Sequence, residues 1–288
     1  MGASITAASI INEAADLLYD ETNVRWPTDE LEDYLNNGQR EIVLLRPDAY
    51  PTREAFALVQ TNTRQVIPSG GISLIDVCLN VDVSDVPSGR AITLIDREEL
   101  DKTRPNWHIE TEASEIKHFT FDPRNPKEFF VYPPPAAGLY VELIYAASPP
   151  DCAASGNAFA TSHAYALGDK FTVTDYVYEV VKAGTSHTGA PSWPSVWKQA
   201  VVDGAGVIYQ NIGTTLLSLD DIYKPALLDY VLARAYSKDA KTQRMSLVQI
   251  HQVAFMQALG LKAQVVQEYD PNIRNVPVNR AIGEAART

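Results

Sequence analysis

The hydrophobic period of this chain changes twice, from helical to strand-like and back to helical, and no single regular architecture accommodates both changes. Near the N terminus Ala7, Ile10, Ile11, Ala14, Leu17 and Leu18 recur at helical spacing, one apolar stripe. Asn23 to Pro27 interrupts it, and Thr28 is placed to cap a second helix with Asp29 and Glu30 in its first turn. Leu31, Tyr34, Leu35, Gly38, Ile42 and Leu45 continue the stripe until Pro47 ends it. From about residue 53 to 150 the segments become short, β-branched and aromatic: 56–67, 72–83, 91–95, 117–121, 128–132 and 139–146. Pro68-Ser69-Gly70-Gly71, Pro87-Ser88-Gly89 and the run from Asp122 to Pro126 read as turns between them. Strands at this spacing, with no helices alternating, predict an antiparallel sandwich or barrel rather than a doubly wound sheet.

Residues 151–217 depart again, with few long aliphatics and many aromatics and glycines, and segments 171–173, 176–182 and 207–211 read as three or four strands. This is the pattern of a small inserted β module. Helical spacing then returns. Ser218 with Asp221 resembles a capping box, Leu228, Val231, Leu232 and Ala235 make a stripe, and 242–269 reads as one long helix with Val248, Phe255, Leu259 and Val266 on one side. Residues 270–288 have no periodicity and read as an extended arm. The predicted fold class is therefore α+β. Residues 1–52 and 218–269 form one helical domain, 53–150 an antiparallel β domain, and 151–217 the inserted module.

Charge narrows the function. The chain of 288 residues carries 36 acids against 24 lysines and arginines, a formal charge of −12, which disfavours a protein whose task is to grip DNA. The acid is concentrated at the start: residues 1–52 hold ten acids against three arginines, whereas 218–288 hold nine bases against seven acids. That imbalance predicts contacts between the N-terminal and C-terminal helices, within or between subunits. Two cysteines, Cys78 and Cys152, make no disulfide framework and suit a reducing site of synthesis. The N-terminal segment reads as an amphipathic helix rather than a signal peptide, and no apolar run approaches a membrane span, so a soluble protein made inside a cell is expected.

Catalytic motifs fail on inspection. Gly184 and Gly189 have phosphate-loop spacing, but Ala190-Pro191 stand where Lys and Ser or Thr must be. Gly204-Ala205-Gly206 lacks the third glycine of a dinucleotide fingerprint, and HExxH, CxxC and GxSxG are absent. The histidines at 108, 118, 163, 187 and 251 are not spaced as metal ligands on one element. Asp96, Glu98, Glu99 and Asp101 read as a solvated helix start. No catalytic, metal or cofactor residues are assigned, and an enzyme is not expected.

One pattern in the module is more specific. Tyr178, Ala183 to Ser186, Ala190 to Pro194, Asp203-Gly204 and Tyr209 follow in order. Tyr178, Trp193, Trp197 and Tyr209 are candidate glycan-stacking residues, because an apolar sugar face matches an aromatic ring. The alternative is that the tryptophans are the small core of the module itself.

Two helical motifs carry a resemblance. Tyr34-Leu35-Asn36-Asn37-Gly38-Gln39-Arg40-Glu41-Ile42, following Trp26-Pro27, and the run from Leu228 to Ala240 resemble podophage head-to-tail adaptor proteins, also called connector or tail tubular protein A. The resemblance covers residues 1–146 and 218–288. It implies a structural virion protein of the neck, with no catalytic residues. It also implies a homo-oligomeric, dodecameric ring beneath the portal protein, a β domain facing the downstream tail protein, and a lumen through which DNA passes without specific binding. An acidic lining suits that passage. The C-terminal arm of such adaptors reaches the portal, which makes Arg274, Val276, Pro277, Arg280, Ile282 and Arg287 candidate portal-contacting residues. Segment 163–213 separately resembles a sugar-binding-like β module of phage structural proteins, with Tyr209 where most members have Trp. That resemblance implies a second reading, a decoration protein of the tail that binds a surface glycan.

Overall fold

The computed structural model describes residues 5–154, 156–204, 206–238 and 242–269, with the side chains of 242–244 and 261–269 left aside. Helix α1 spans Ala7–Leu18. The Thr6 hydroxyl accepts from the Ser9 amide at its start, and Tyr19 ends it in the left-handed region at φ 57°. The predicted stripe is buried except for Leu17, which faces water, and Ala15 takes its place inside. Each fully buried isoleucine here, Ile10 and Ile11, contributes roughly 2 kcal/mol of hydrophobic stabilisation. The chain then turns around Asp20, whose carboxylate accepts from the amides of Val24, Arg25 and Trp26 at 3.1, 2.9 and 2.9 Å. The bond from Trp26 is the main reason its carboxyl lies below the usual range.

Helix α2 spans Thr28–Leu45, so Thr28 is its first residue and not its cap. The capping position is Pro27, which has no side chain to offer, and Asp29 and Glu30 meet the positive helix end instead.

The β domain is built from β1 (Pro51–Ala57), β2 (Arg64–Val66), β3 (Gly71–Val81), β4 (Pro87–Ala91), β5 (Thr93–Leu94), β6 (His118–Phe121), β7 (Glu128–Tyr132) and β8 (Tyr140–Ala147). A short helix, α3 (Arg97–Thr103), lies between β5 and β6. One sheet has the order β1-β8-β3-β4 and the other β2-β7-β6-β5. Val77, Val141 and Leu143 of the first meet Phe119, Phe129 and Val131 of the second in one core. This is the sandwich of the two predicted forms, and no closed barrel is seen among the described residues. Pairing is antiparallel except for β5 with β6. Two local expectations change. The segment 56–67 is not one strand, because Thr61 at φ 63° and a turn separate β1 from β2. Pro87-Ser88-Gly89 is not a turn but opens β4, an edge strand, where a proline is tolerated.

The module holds β9 (Asn157–Ala158), β10 (Ala164–Tyr165), β11 (Lys170–Val173), β12 (Tyr176–Lys182), β13 (Gly184–Thr185), β14 (Ala200–Val202) and β15 (Ile208–Thr214). Five of these form a sheet ordered β14-β15-β12-β11-β9, and β10 pairs with β13. The last two helices are α4 (Lys224–Lys238) and α5 (Thr242–Tyr269). The start of α4 departs from the predicted capping box. Asp220 caps a single 3-10 turn by accepting from the Ile222 amide, while the Ser218 hydroxyl donates to the Pro150 carbonyl.

Helices α1, α2, α4 and α5 share one core, including Ile10, Leu35, Ile42, Leu227, Val231 and Phe255. The two helical ends of the chain are thus one bundle, interrupted by the β segments. Acid and base meet across it inside one subunit: Glu13 pairs with Lys224 at 2.8 Å, and Glu30 pairs with Lys238. On α5, Val248, Phe255 and Leu259 are buried as expected, and the side chain of Val266 lies outside the described residues.

Candidate functional site

One polar face of α2, begun before the first motif and continued within it, meets the root of the module. Asp29, Glu32, Asn36, Gln39 and Arg40 follow at helical spacing. Asn36 treats the incoming chain as a neighbouring strand would. Its amide nitrogen donates to the Cys152 carbonyl at 2.9 Å, and its oxygen accepts from the Cys152 amide at 2.9 Å. Gln39 accepts from the Ser218 amide at 2.9 Å, which ties the outgoing chain to the same helix. Glu32 accepts from the Ala154 amide at 2.7 Å, and Arg40 pairs with Asp151. The two chain passages also bond each other, Ala153 donating to the Thr214 carbonyl at 3.0 Å. The Cys152 thiol is buried in this packing against Asn36 and Gln39, and that burial pushes it up to about 12.

Lys170 on β11 completes the clamp, reaching Asp29 at 2.7 Å and Glu32 at 3.1 Å. Burial lowers its proton affinity, but the two carboxylates outweigh that and raise it. Asp29 is largely exposed, so only the Glu32 half carries weight. Lys170→Met is expected to destabilise the chain by roughly 1 kcal/mol, since Glu32 keeps its bond from Ala154. Hydrogen exchange of residues 151–154 checks it: faster exchange there, with the β-sandwich unchanged, is the expected result.

The four candidate glycan-stacking residues do not share one surface. Tyr178 and Tyr209 are fully buried, packed with Phe171 and Trp193 at ring separations of 4.8–5.7 Å. A ring covered in this way has no face for a sugar. Trp193 is half-buried against the same cluster, which is the core reading of the module. Trp197 stands apart at the surface with the Lys198 ammonium 4.1 Å over its ring.

The rest of the pattern holds loops together. Asp203 accepts from the Tyr209 hydroxyl at 3.2 Å and the His187 amide at 2.9 Å. Tyr178 and Asn211 both donate to the Pro194 carbonyl at 2.9 Å. Burial raises the Tyr209 phenol well above its usual range, so it stays a donor.

The candidate portal residues Arg274, Val276, Pro277, Arg280, Ile282 and Arg287 lie outside the described residues. Asp96 caps α3, and Glu98 and Asp101 pair with Lys102 and Arg97 along its exposed side. Among the described residues no three metal-ligating side chains converge, and no helix is long and apolar enough to cross a membrane.

The outward side of α5 has an unusual composition. From Met245 to Leu261 it holds no Asp, Glu, Lys or Arg, and Met245, Ile250, Val253 and Met256 are exposed. The exposed Ser246, Gln249, Gln252 and Gln257 lie among them, so this flank is uncharged and mixed, and a helix that leaves Met, Ile and Val in water beside neutral amides has the character of a surface awaiting a partner. The α2 clamp and this face both escape a sequence reading. In the first, polar residues inside an apolar helix look like its solvated side. In the second, Met, Val and Ile look like core.

No curated protein matches the chain. A family model described as SU10 adaptor protein matches residues 5–187, which takes in α1, α2, the β-sandwich and the module as far as His187. The matched residues contain the first helical motif and most of the module root that it holds. The second motif, in α4, lies beyond them. The chain belongs to the SU10 adaptor protein family, the structural head-to-tail adaptors of phage virions.

Proposed function

We propose that this adaptor forms a ring, a dodecamer, beneath the portal, joins it to the downstream tail protein, and lets DNA pass through its lumen. The observation that carries this is the uncharged, exposed side of α5, since a helical bundle with such a flank is completed by further subunits. The clamp on the module supports it, because a part that transmits position from portal to tail has to be stiff. The charge of −12 supports the lumen, where surplus lysine or arginine would hold phosphates. The arm at 270–288 is assigned to the portal, with Arg274, Arg280 and Arg287 its basic groups. Catalysis has no place in this function.

Sedimentation of the full chain alone, and then with portal rings of the same phage, tests the reading. A slow species that converts to a stoichiometric portal-bound ring is expected, because weak subunit contacts accumulate avidity on a template. A chain that ignores the portal overturns the reading. Deleting residues 270–288 should leave a folded protein that no longer joins the portal. Undiminished binding by the truncated chain overturns the arm assignment alone.

A further inference from the structure

We propose that the exposed side of α5 and the corner between α1 and α2 are two halves of one subunit contact, the corner of one copy seating against α5 of the next copy of this chain. The proposal rests on the ring reading, and it names the surfaces that close the ring.

The corner is built in a way the fold of a single chain does not need. Tyr19 occupies the left-handed cap of α1 at φ 57°, a position that glycine or asparagine fills with least strain. Its ring is 95% exposed, and Val24 across the turn is 81% exposed. A large ring at a strained position, wholly in water, does nothing for α1. It becomes useful when something covers it. The turn that presents it is already rigid, because the Asp20 carboxylate holds three successive amides. Little ordering is therefore lost on docking.

The α5 side has the complementary character. Val253 is 53% and Met256 55% exposed. Beside them a groove of about 280 Å³ is lined by Tyr230, Arg234, Phe255, Met256 and Glu41. Depletion of charge and enrichment in methionine mark the buried centre of protein interfaces. The charges present fit as well. The corner exposes Asp16 and Glu21 against one cation, Arg25, which lies over the Trp26 ring, and Arg234 in the groove meets only the Tyr230 hydroxyl and ring, with no carboxylate partner among the described residues. Glu41 is the one acid in the groove.

The two surfaces are also distinct patches of the bundle. Helix α4 packs against both α1 and α5, while α1 and α5 do not pack on each other to any comparable extent. The corner meets α4 at Ala235 and Lys238, and the groove takes in Tyr230 and Arg234, so corner and groove are separate patches that share no residue. A contact between different patches is head-to-tail, which propagates from copy to copy and closes where the rotation permits.

Disulfide trapping of the full-length chain tests this, in a Cys78→Ser background and with portal rings present. The variant carrying both Tyr19→Cys and Met256→Cys should give a ladder of dimers, trimers and higher species on oxidation. A mixture of the two single variants should stop at dimers, since each chain then offers one thiol. Tyr19→Asp and Val253→Asp should each reduce assembly at least tenfold with melting unchanged, because both side chains are exposed in the single chain. The contact is overturned if Tyr19→Cys alone dimerises as readily, if Met256→Cys links to the portal rather than to another copy, or if no ladder forms while the unmodified chain still assembles. Failure of the unmodified chain to form a ring under any of these conditions overturns the ring reading itself, and the contact with it.

Discussion

Asn36→Leu is expected to lower the stability of the chain by about 3 kcal/mol, because it strips both backbone partners from Cys152 and leaves a buried donor and a buried acceptor unsatisfied. In a protein of this size that corresponds to a fall in Tm of roughly 5 °C. The cost arises from the orphaned backbone groups and not from lost volume, since leucine nearly fills the same space. Asn36→Asp separates these causes. Its carboxylate still accepts from the Cys152 amide but turns a second oxygen toward the Cys152 carbonyl. Burial raises the pKa of such a carboxyl above its unfolded value. The stability of Asn36→Asp is therefore expected to recover as pH falls through that raised pKa and to be lost as pH rises through it. Thermal melts of both variants between about pH 4 and 8 check this. If Asn36→Leu melts with the unmodified chain, Asn36 does not hold the module root.

That residue also shows how far the sequence could be read. The alternation of periods marks the helices, the sandwich and the module, because burying one stripe or one face leaves a period that sequence displays directly. The ends of elements are less legible. Pro87-Ser88-Gly89 has turn composition, and only its place at a sheet edge makes it a strand. Thr28 has the right chemistry for a cap, but Pro27 takes the position, and no local rule separates the two.

The functional surfaces were the least visible, for a physical reason. Asn36 and Gln39 act on Cys152 and Ser218, partners 116 and 179 residues away, so their role depends on topology that periodicity does not carry. The module aromatics illustrate the reverse. Tyr178 and Tyr209 suggest a stacking platform in sequence, and in the fold they are core, because a module this small has few other side chains with which to build one.

Gly38 is the other point at which the first motif acts on the whole assembly. It lies where α2 crosses α4, and a Cβ on it would come within 3.0 Å of a Tyr230 ring carbon and 3.2 Å of a Leu227 methyl. Gly38→Ala is expected to be nearly neutral. Alanine gains about 1 kcal/mol of helix propensity, and the neighbours need give only a few tenths of an ångström, which offsets it. Gly38→Leu is different, because three further carbons have no free volume in a seam that includes Leu35, Leu227 and Val231. The expected loss is about 3 kcal/mol, typical of overpacking in a close-packed core. The displaced element is α4, which carries α5, so assembly with the portal should fail before the β-sandwich does. Adding Tyr230→Ala opens space beside the new side chain, and the double variant should regain part of what Gly38→Leu loses. Melting curves and portal sedimentation of the two single variants and the double variant form a cycle that measures this coupling. Strictly additive losses would mean that Gly38 and Tyr230 are not in contact, and that glycine holds this place in the motif for some reason other than the approach of α4.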